Sequence, residues 1–247
     1  LFARANYKLM DRYLLNASVR RDGHSAFSKD NRWANFYAFG AGWILTEEGF
    51  MKDLGWLNML KLRGSYGITG NTAVSNSMTY LSWGLDTNKV FGVDYLHGAT
   101  TVGPMGSKDL KWETTANLDL GFDFGILNNR INGSFAYYTQ KVSDLILLGN
   151  VQPSVGFDKN QIYENVGDLK NWGFEFNVSS VNIENKNFTW KTDFNISTNR
   201  NKILTLNAAE QGKGKEESTS IRKEGEALNT YYLANNVGVD SEKGIYM

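Results

Sequence analysis

The chain has 247 residues, with 26 Lys plus Arg against 26 Asp plus Glu, so its net charge is zero; it holds 25 Gly, 2 Pro and no Cys. Without Cys there is no disulfide, no thiolate nucleophile and no Cys-ligated zinc, and a neutral chain with no basic block offers phosphates no cationic face, which excludes nucleic acid as a partner. No stretch approaches the ~18 consecutive apolar residues of a membrane-spanning helix, so a helical membrane protein is excluded too.

Taken in chain order, the segments alternate with a period of two, which puts successive side chains on opposite faces of a strand. The opening segment, 1–9, carries Ala3, Ala5 and Tyr7 on one side. Tyr13, Leu15, Ala17 and Val19 alternate with Leu14, Asn16, Ser18 and Arg20, and Tyr37, Phe39, Ala41 and Trp43 form one face of the third segment. Leu60, Leu62, Gly64 and Tyr66 oppose Lys61, Arg63 and Ser65. The clearest case follows: Trp112, Thr114, Ala116, Leu118, Leu120, Phe122 and Phe124 alternate with Glu113, Thr115, Asn117, Asp119, Gly121 and Asp123. Ile131, Gly133, Phe135 and Tyr137, then Trp172, Phe174, Phe176 and Val178, then Phe188, Trp190, Thr192, Phe194 and Ile196 repeat the pattern. A less regular segment, 221–237, brings the expectation to about nine strands.

The connections are unequal. Asp11-Arg12, 126–129 and 182–187 are short; 21–35, 69–109, 141–168 and 199–220 are long. The piece at 46–58 is of middle length, and its Thr46-Glu47-Glu48 start resembles a helix cap rather than an acid/base pair. Short and long connections in alternation, joined by strands of about ten residues, indicate an all-β, antiparallel, up-and-down transmembrane β-barrel with short turns at one end. In the hairpin at Leu127-Asn128 this reading sets Phe124 opposite Ile131 and Leu120 opposite Phe135. Trp112, Tyr137 and Trp172 near the long connections, and Trp43 and Trp190 near the short ones, are the expected lipid-interface aromatics. Lys111, Glu113, Asn117, Asp119 and Asp123 are expected to face the lumen. The competing architecture is a soluble β-sandwich, whose buried face alternates in the same way; it would make the chain a carbohydrate-binding module or, with less support, a hydrolase.

Loop residues are the candidates for substrate or lid contact. Tyr80, Trp83, Phe91 and Tyr95 lie among Asn71, Asn76 and Asn88, and Phe157 and Tyr163 lie in the second long connection. Ring faces stack on sugars while amides bond hydroxyls; the same rings could equally pack the loop on itself or on a lid protein. No enzymatic constellation emerges. His24 and His97 have no metal-ligand spacing, no nucleophile motif is present, and Asp22-Gly23 and Asp240 with Gly244 fit ordinary turns better than calcium borders. No cofactor is expected.

Several motifs, in order, then carry a resemblance: 13–23 (YLLNASVRRDG), Asn31-Arg32-Trp33, Gly42-Trp43-Ile44, 60–71 (LKLRGSYGITGN), 109–115 (DLKWETT), 120–125 (LGFDFG) and 165–176 (NVGDLKNWGFEF). The set resembles the SusC/RagA family of TonB-linked outer-membrane transporters over residues 13–246. The resemblance implies that residues 1–247 are part of a 22-stranded barrel, with the plug domain and the C-terminal strands not included. It implies a location in the outer membrane of a Gram-negative bacterium, import of oligosaccharides or peptides, a SusD-like surface lipoprotein as lid, and the TonB complex as the source of energy.

Overall fold

The computed structural model describes residues 1–72, 83–90, 97–102, 107–150, 152, 161–206, 212–233 and 238. Its strands, in chain order, are β1 (Phe2–Leu9), β2 (Tyr13–Gly23), β3 (Trp33–Ile44), β4 (Leu57–Asn71), β5 (Trp83–Val90), β6 (His97–Val102), β7 (Glu113–Ile126), β8 (Ile131–Ser143), β9 (Ile146–Asn150), β10 (Gln161–Asn165), β11 (Asp168–Glu184), β12 (Thr189–Thr205), β13 (Lys215–Glu217), β14 (Ser220–Arg222) and β15 (Thr230–Tyr231). Eight of them form one antiparallel wall in the order β1-β2-β3-β4-β7-β8-β11-β12. β1 and β12 are its outer strands; among the described residues no further strand pairs with either, so this antiparallel sheet does not close, although Ile203 on β12 exchanges backbone bonds with Gly225 and Glu226.

Register turns the sequence alternation into two continuous faces. One row crosses all eight strands as Leu9, Tyr13, Trp43, Leu62, Phe122, Phe135, Phe176 and Ile196. The neighbouring row on that face is Tyr7, Leu15, Ala41, Gly64, Leu120, Tyr137, Phe174 and Thr198. Between them, on the other face, runs a row that includes Lys8, Arg63 and Glu175. The aromatic members of the apolar rows touch across strands: Phe122 to Phe135 at 5.7 Å, Phe135 to Phe174 at 5.8 Å and Tyr137 to Phe174 at 5.2 Å between ring centroids. Such cross-strand pairs lock register, since a slip of one residue would invert the faces.

Nothing among the described residues covers the apolar face. Leu120 is 48% exposed and Ile196 54%. The fully covered apolar residues are Ala26, Phe27, Phe36, Leu110, Ala136, Ile203 and Leu206, mostly at strand ends and loops. A β-sandwich would have buried those rows against a second sheet; here they form the outside of a single layer, which disfavours the soluble module.

Four features depart from the sequence reading. The β7–β8 turn holds three consecutive left-handed residues, Leu127 (φ 54), Asn128 (φ 57) and Asn129 (φ 60), and closes on Ile126 opposite Ile131. Phe122, not Leu120, therefore sits opposite Phe135, and Phe124 faces Gly133 rather than Ile131: a slip of two, which preserves the faces. The expected ninth wall strand is absent from the described part of 221–237, where β14 and β15 instead join β13 in a small separate sheet. The long connections contain hairpins, β5 with β6 and β9 with β10. Finally, Trp112 leaves the interfacial band, as described next.

Candidate functional site

The polar face is knitted by charges and amides. Arg63 on β4 reaches two carboxylates of β7, Nη1 to Asp119 Oδ1 at 2.6 Å and Nε to Asp123 Oδ1 at 3.4 Å. Further along, Gln140 Nε2 donates to Asn117 Oδ1 at 3.0 Å and Asn171 Nδ2 to Gln140 Oε1 at 3.4 Å, a chain across β7, β8 and β11. Asn177 bonds Ser134 and Ser179 bonds Asp193. Asn117, Asp119 and Asp123, expected to face a lumen, thus lie together on one hydrophilic surface.

At the long-connection end the wall is tied to its loops. Glu113 opens β7 and is only 6% exposed. Its Oε1 accepts the Ile146 backbone N–H at 2.9 Å and its Oε2 accepts Asn71 Nδ2 at 2.8 Å, so one carboxylate joins the ends of β4 and β7 to β9. Asn165 does the same from β10: its amide pairs with the Lys111 backbone in both directions at 2.9 Å and also donates to the Asp144 carbonyl at 2.7 Å. Lys111 Nζ lies 3.1 Å from Asp144, and Lys141 Nζ 3.3 Å from Asp168. The β8–β11 ribbon continues outward as β9–β10 through a joint at left-handed Asp144, closed by Leu145 N–H to Gly167 O and Val166 N–H to Leu145 O. Burying polar groups is tolerable only where each finds a partner, and here they do.

Beside this joint is an aromatic cluster. β3 and β4 pair only as far as Ala38 opposite Gly67, though both strands run on. The gap holds Phe36, Trp112 and fully buried Phe27, with Phe27 stacked on Trp112 at 5.5 Å and Phe36 edge-on at 5.5 Å. Gly70 lies flat under the Phe36 ring, which occupies the place of a Cβ. Trp112 Nε1 donates to the Arg32 carbonyl at 3.2 Å. The sequence alternation put Trp112 on the apolar face; a wedge between diverging strands has captured it instead.

The short-turn end is organised around Glu48, just after a 3₁₀ turn at Leu45–Glu47. Its Oε1 accepts Tyr13 Oη at 2.7 Å and Trp43 Nε1 at 3.0 Å, and its Oε2 meets Arg12 Nη1 at 2.8 Å. These donors, the Tyr13 hydroxyl foremost and then the Trp43 indole, hold the Glu48 carboxyl below its ordinary pKa.

Of the candidate contact residues, Tyr80, Phe91, Tyr95 and Phe157 lie outside the described residues. Trp83 opens β5 opposite Val102, and Tyr163 is half-buried in β10 opposite Leu148. Of the aromatics assigned to lipid, Trp43, Tyr137, Trp172 and Trp190 share the apolar face with the rows above; Trp190 is 53% exposed, and the Lys170 ammonium lies over Trp172 at 5.6 Å. Asp22, weighed as a calcium border, is ion-paired with Arg20 at 2.6 Å; Asp240 and Gly244 lie outside the described residues. Sequence reasoning missed the joining role of Glu113 and Asn165. Both lie in the motifs 109–115 and 165–176, Glu113 opening β7 and Asn165 closing β10, but nothing local reveals a partner 33 or 54 residues away.

The sheet is open, with one face apolar and exposed, the other polar and cross-linked, and its two ends are unequal. Residues 1–230 match the β-barrel of the TonB dependent receptor-like family. The chain belongs to this TonB-dependent receptor β-barrel family. It is 36% identical to the TonB-dependent receptor SusC of Bacteroides thetaiotaomicron over 99% of the chain and 26% of SusC, and 38% identical to the TonB-dependent receptor P39 of Formosa agariphila over 97% of the chain and 22% of that protein. In structure it is similar to the RagAB peptide importer in its closed-closed state, with a TM-score of 0.86, 26% identity and coverage of 99% of this chain and 26% of that one; the open-open state gives 0.85. The chain therefore spans about a quarter of the length of these relatives.

Proposed function

We propose that this chain forms part of the wall and outer collar of a SusC/RagA-type TonB-dependent transporter in the outer membrane of a Gram-negative bacterium. The parent imports oligosaccharides or peptides, takes its energy from the TonB complex and works with a SusD-like lipoprotein lid. The observation that carries this reading is the single-layer wall: its apolar rows have no protein partner, while its polar face is cross-linked by Arg63, Asp119 and Asp123. Acyl chains outside and an aqueous lumen inside satisfy both faces at once. Free edges at β1 and β12 are costly in lipid, so the wall needs further strands beside it. The short turns then face the periplasm and the hairpins β5–β6 and β9–β10 face outward, where Tyr80, Trp83, Phe91, Tyr95, Phe157 and Tyr163 are candidates to meet cargo or lid. The wall supplies shape and polarity, and no bond-making step is assigned to it.

The test uses cells expressing the intact parent. Uptake of fluorescent oligosaccharides and of fluorescent peptides is measured with and without an energised TonB complex, after membrane fractionation. Outer-membrane enrichment with TonB-dependent uptake of one cargo class is expected. Recovery in the inner membrane or the soluble fraction would overturn the reading.

A further inference from the structure

The β3–β4 connection, 45–56, exposes large apolar side chains beside its charged Glu47, Glu48, Lys52 and Asp53. It carries Leu45, Phe50, Met51, Leu54 and Trp56, with Phe50 68% and Trp56 56% exposed. Its backbone is a staircase of tight turns: Glu48 N–H bonds Leu45 O, Met51 bonds Glu48, Leu54 bonds Met51 and Leu57 bonds Leu54. These bonds satisfy the amides of Glu48, Met51, Leu54 and Leu57 from within the connection, so those donors need no water. The staircase is also held to one side of the wall. Glu48 takes hydrogen bonds from Tyr13 and Trp43, which are adjacent members of the apolar row, stacked at 6.3 Å between centroids. Arg12 completes the clamp, giving one bond to Glu48 and one to the Glu47 carbonyl. The clamp draws the connection toward the apolar face rather than the polar one. At its far end the Trp56 carbonyl accepts the Leu127 N–H, and Leu127, 52% exposed, extends the apolar strip along the turn end.

We propose that this connection is a membrane foot, a short interfacial segment that seats Phe50, Leu54 and Trp56 in the headgroup layer of the inner leaflet, with Glu48 as the positioning residue that holds it to the wall. This rests on the reading of the sheet as a membrane wall. The occupant is a phospholipid surface, because the foot is continuous with the apolar row through Tyr13 and Trp43. Aromatic rings favour that layer, where one edge is dry and the other wet. Lys52 can extend its ammonium to phosphate from the same segment.

The test is spin-label accessibility in the intact parent, free of other cysteines and reconstituted in phospholipid vesicles. Labels are placed at Phe50→Cys, at Leu120→Cys on the apolar face and at Asn187→Cys in the β11–β12 turn; a water-soluble nickel chelate and oxygen are the collision partners. The expected result is that the Phe50 label meets nickel severalfold less than the Asn187 label and oxygen severalfold more. If the Leu120 label is shielded from nickel while the Phe50 label collides as freely as Asn187, the foot is overturned and the wall stands. A Phe50 label shielded from both collision partners is packed in protein, as against a plug or periplasmic partner, and also overturns the foot. A Leu120 label open to nickel overturns the wall reading itself. Glu48→Ala, in a barrel still folded by its resistance to SDS at room temperature, raises nickel contact at the Phe50 label severalfold with Leu120 unchanged; no change would remove Glu48 from its role.

Discussion

The two ends of this wall solve the same problem, ending a strand, in opposite ways. At the short-turn end the β1–β2 and β7–β8 links reverse within a few residues, with left-handed backbone at Met10, Asp11, Leu127, Asn128 and Asn129, all non-glycine. At the other end it runs on, and the strand tops are held by buried partners: Glu113 to Ile146 and Asn71, Asn165 to Lys111, and the Phe27–Phe36–Trp112 wedge. Tight reversals keep neighbouring strands in register. Joints with side chains locked to distant backbone fix the base of a loop while leaving its sequence free to differ.

The wedge is where that difference breaks most severely. In the intact parent, Phe27→Ala empties the centre of the wedge and is expected to lower stability by about 3–5 kcal/mol, read as the urea midpoint of the vesicle-embedded protein. The wall between the ends comes next. Leu120→Arg, mid-strand on the apolar face, is expected to cost about 2–4 kcal/mol if that face meets lipid. Asn117→Arg, on the polar face of the same strand, is expected to cost about 1 kcal/mol or less. Equal costs at the two positions would remove the distinction between the faces. Glu113→Ala then leaves the Ile146 amide and the Asn71 side chain without their acceptor, at about 1–3 kcal/mol. Its effect should be local: faster hydrogen exchange across β9 and β10, with the β7–β8 turn unchanged. Glu113→Gln, which keeps one acceptor oxygen, should recover part of the protection.

The faces of the wall were legible because a strand reports its own orientation every second residue. Leu118, Leu120 and Phe122 against Asn117, Asp119 and Asp123 needed no tertiary knowledge. What failed was whatever depended on a partner elsewhere. The β7–β8 register slipped by two because parity cannot distinguish turns that differ by an even number of residues, and three left-handed positions at Leu127, Asn128 and Asn129 carry no Gly to mark them. Trp112 obeyed the alternation and was placed with the lipid aromatics, yet the parting of β3 and β4 beyond Ala38 and Gly67 created a slot that took it. The hairpins of the long connections were missed because Ile146, Leu147 and Leu148 alternate with nothing; they read as an apolar run in a loop.

The smallest expected effect tests whether the short-turn end, despite its tight reversals, has a labile hold of its own. Glu48 is kept ionised by the Tyr13 hydroxyl, the Trp43 indole and Arg12, so its folded pKa lies below the unfolded value of about 4.3. A group depressed on folding stabilises the fold above its unfolded pKa, and that contribution fades as pH falls through the folded value. The β3–β4 connection should therefore loosen on acidification below about pH 4.3, seen as faster hydrogen exchange across residues 45–57. The β7–β8 turn has no carboxylate in residues 126–131 and supplies the internal reference. Glu48→Gln, neutral at every pH, should weaken the connection at neutral pH and remove most of its acid dependence. If the connection loosens with the same pH profile in that variant, a different carboxylate holds it.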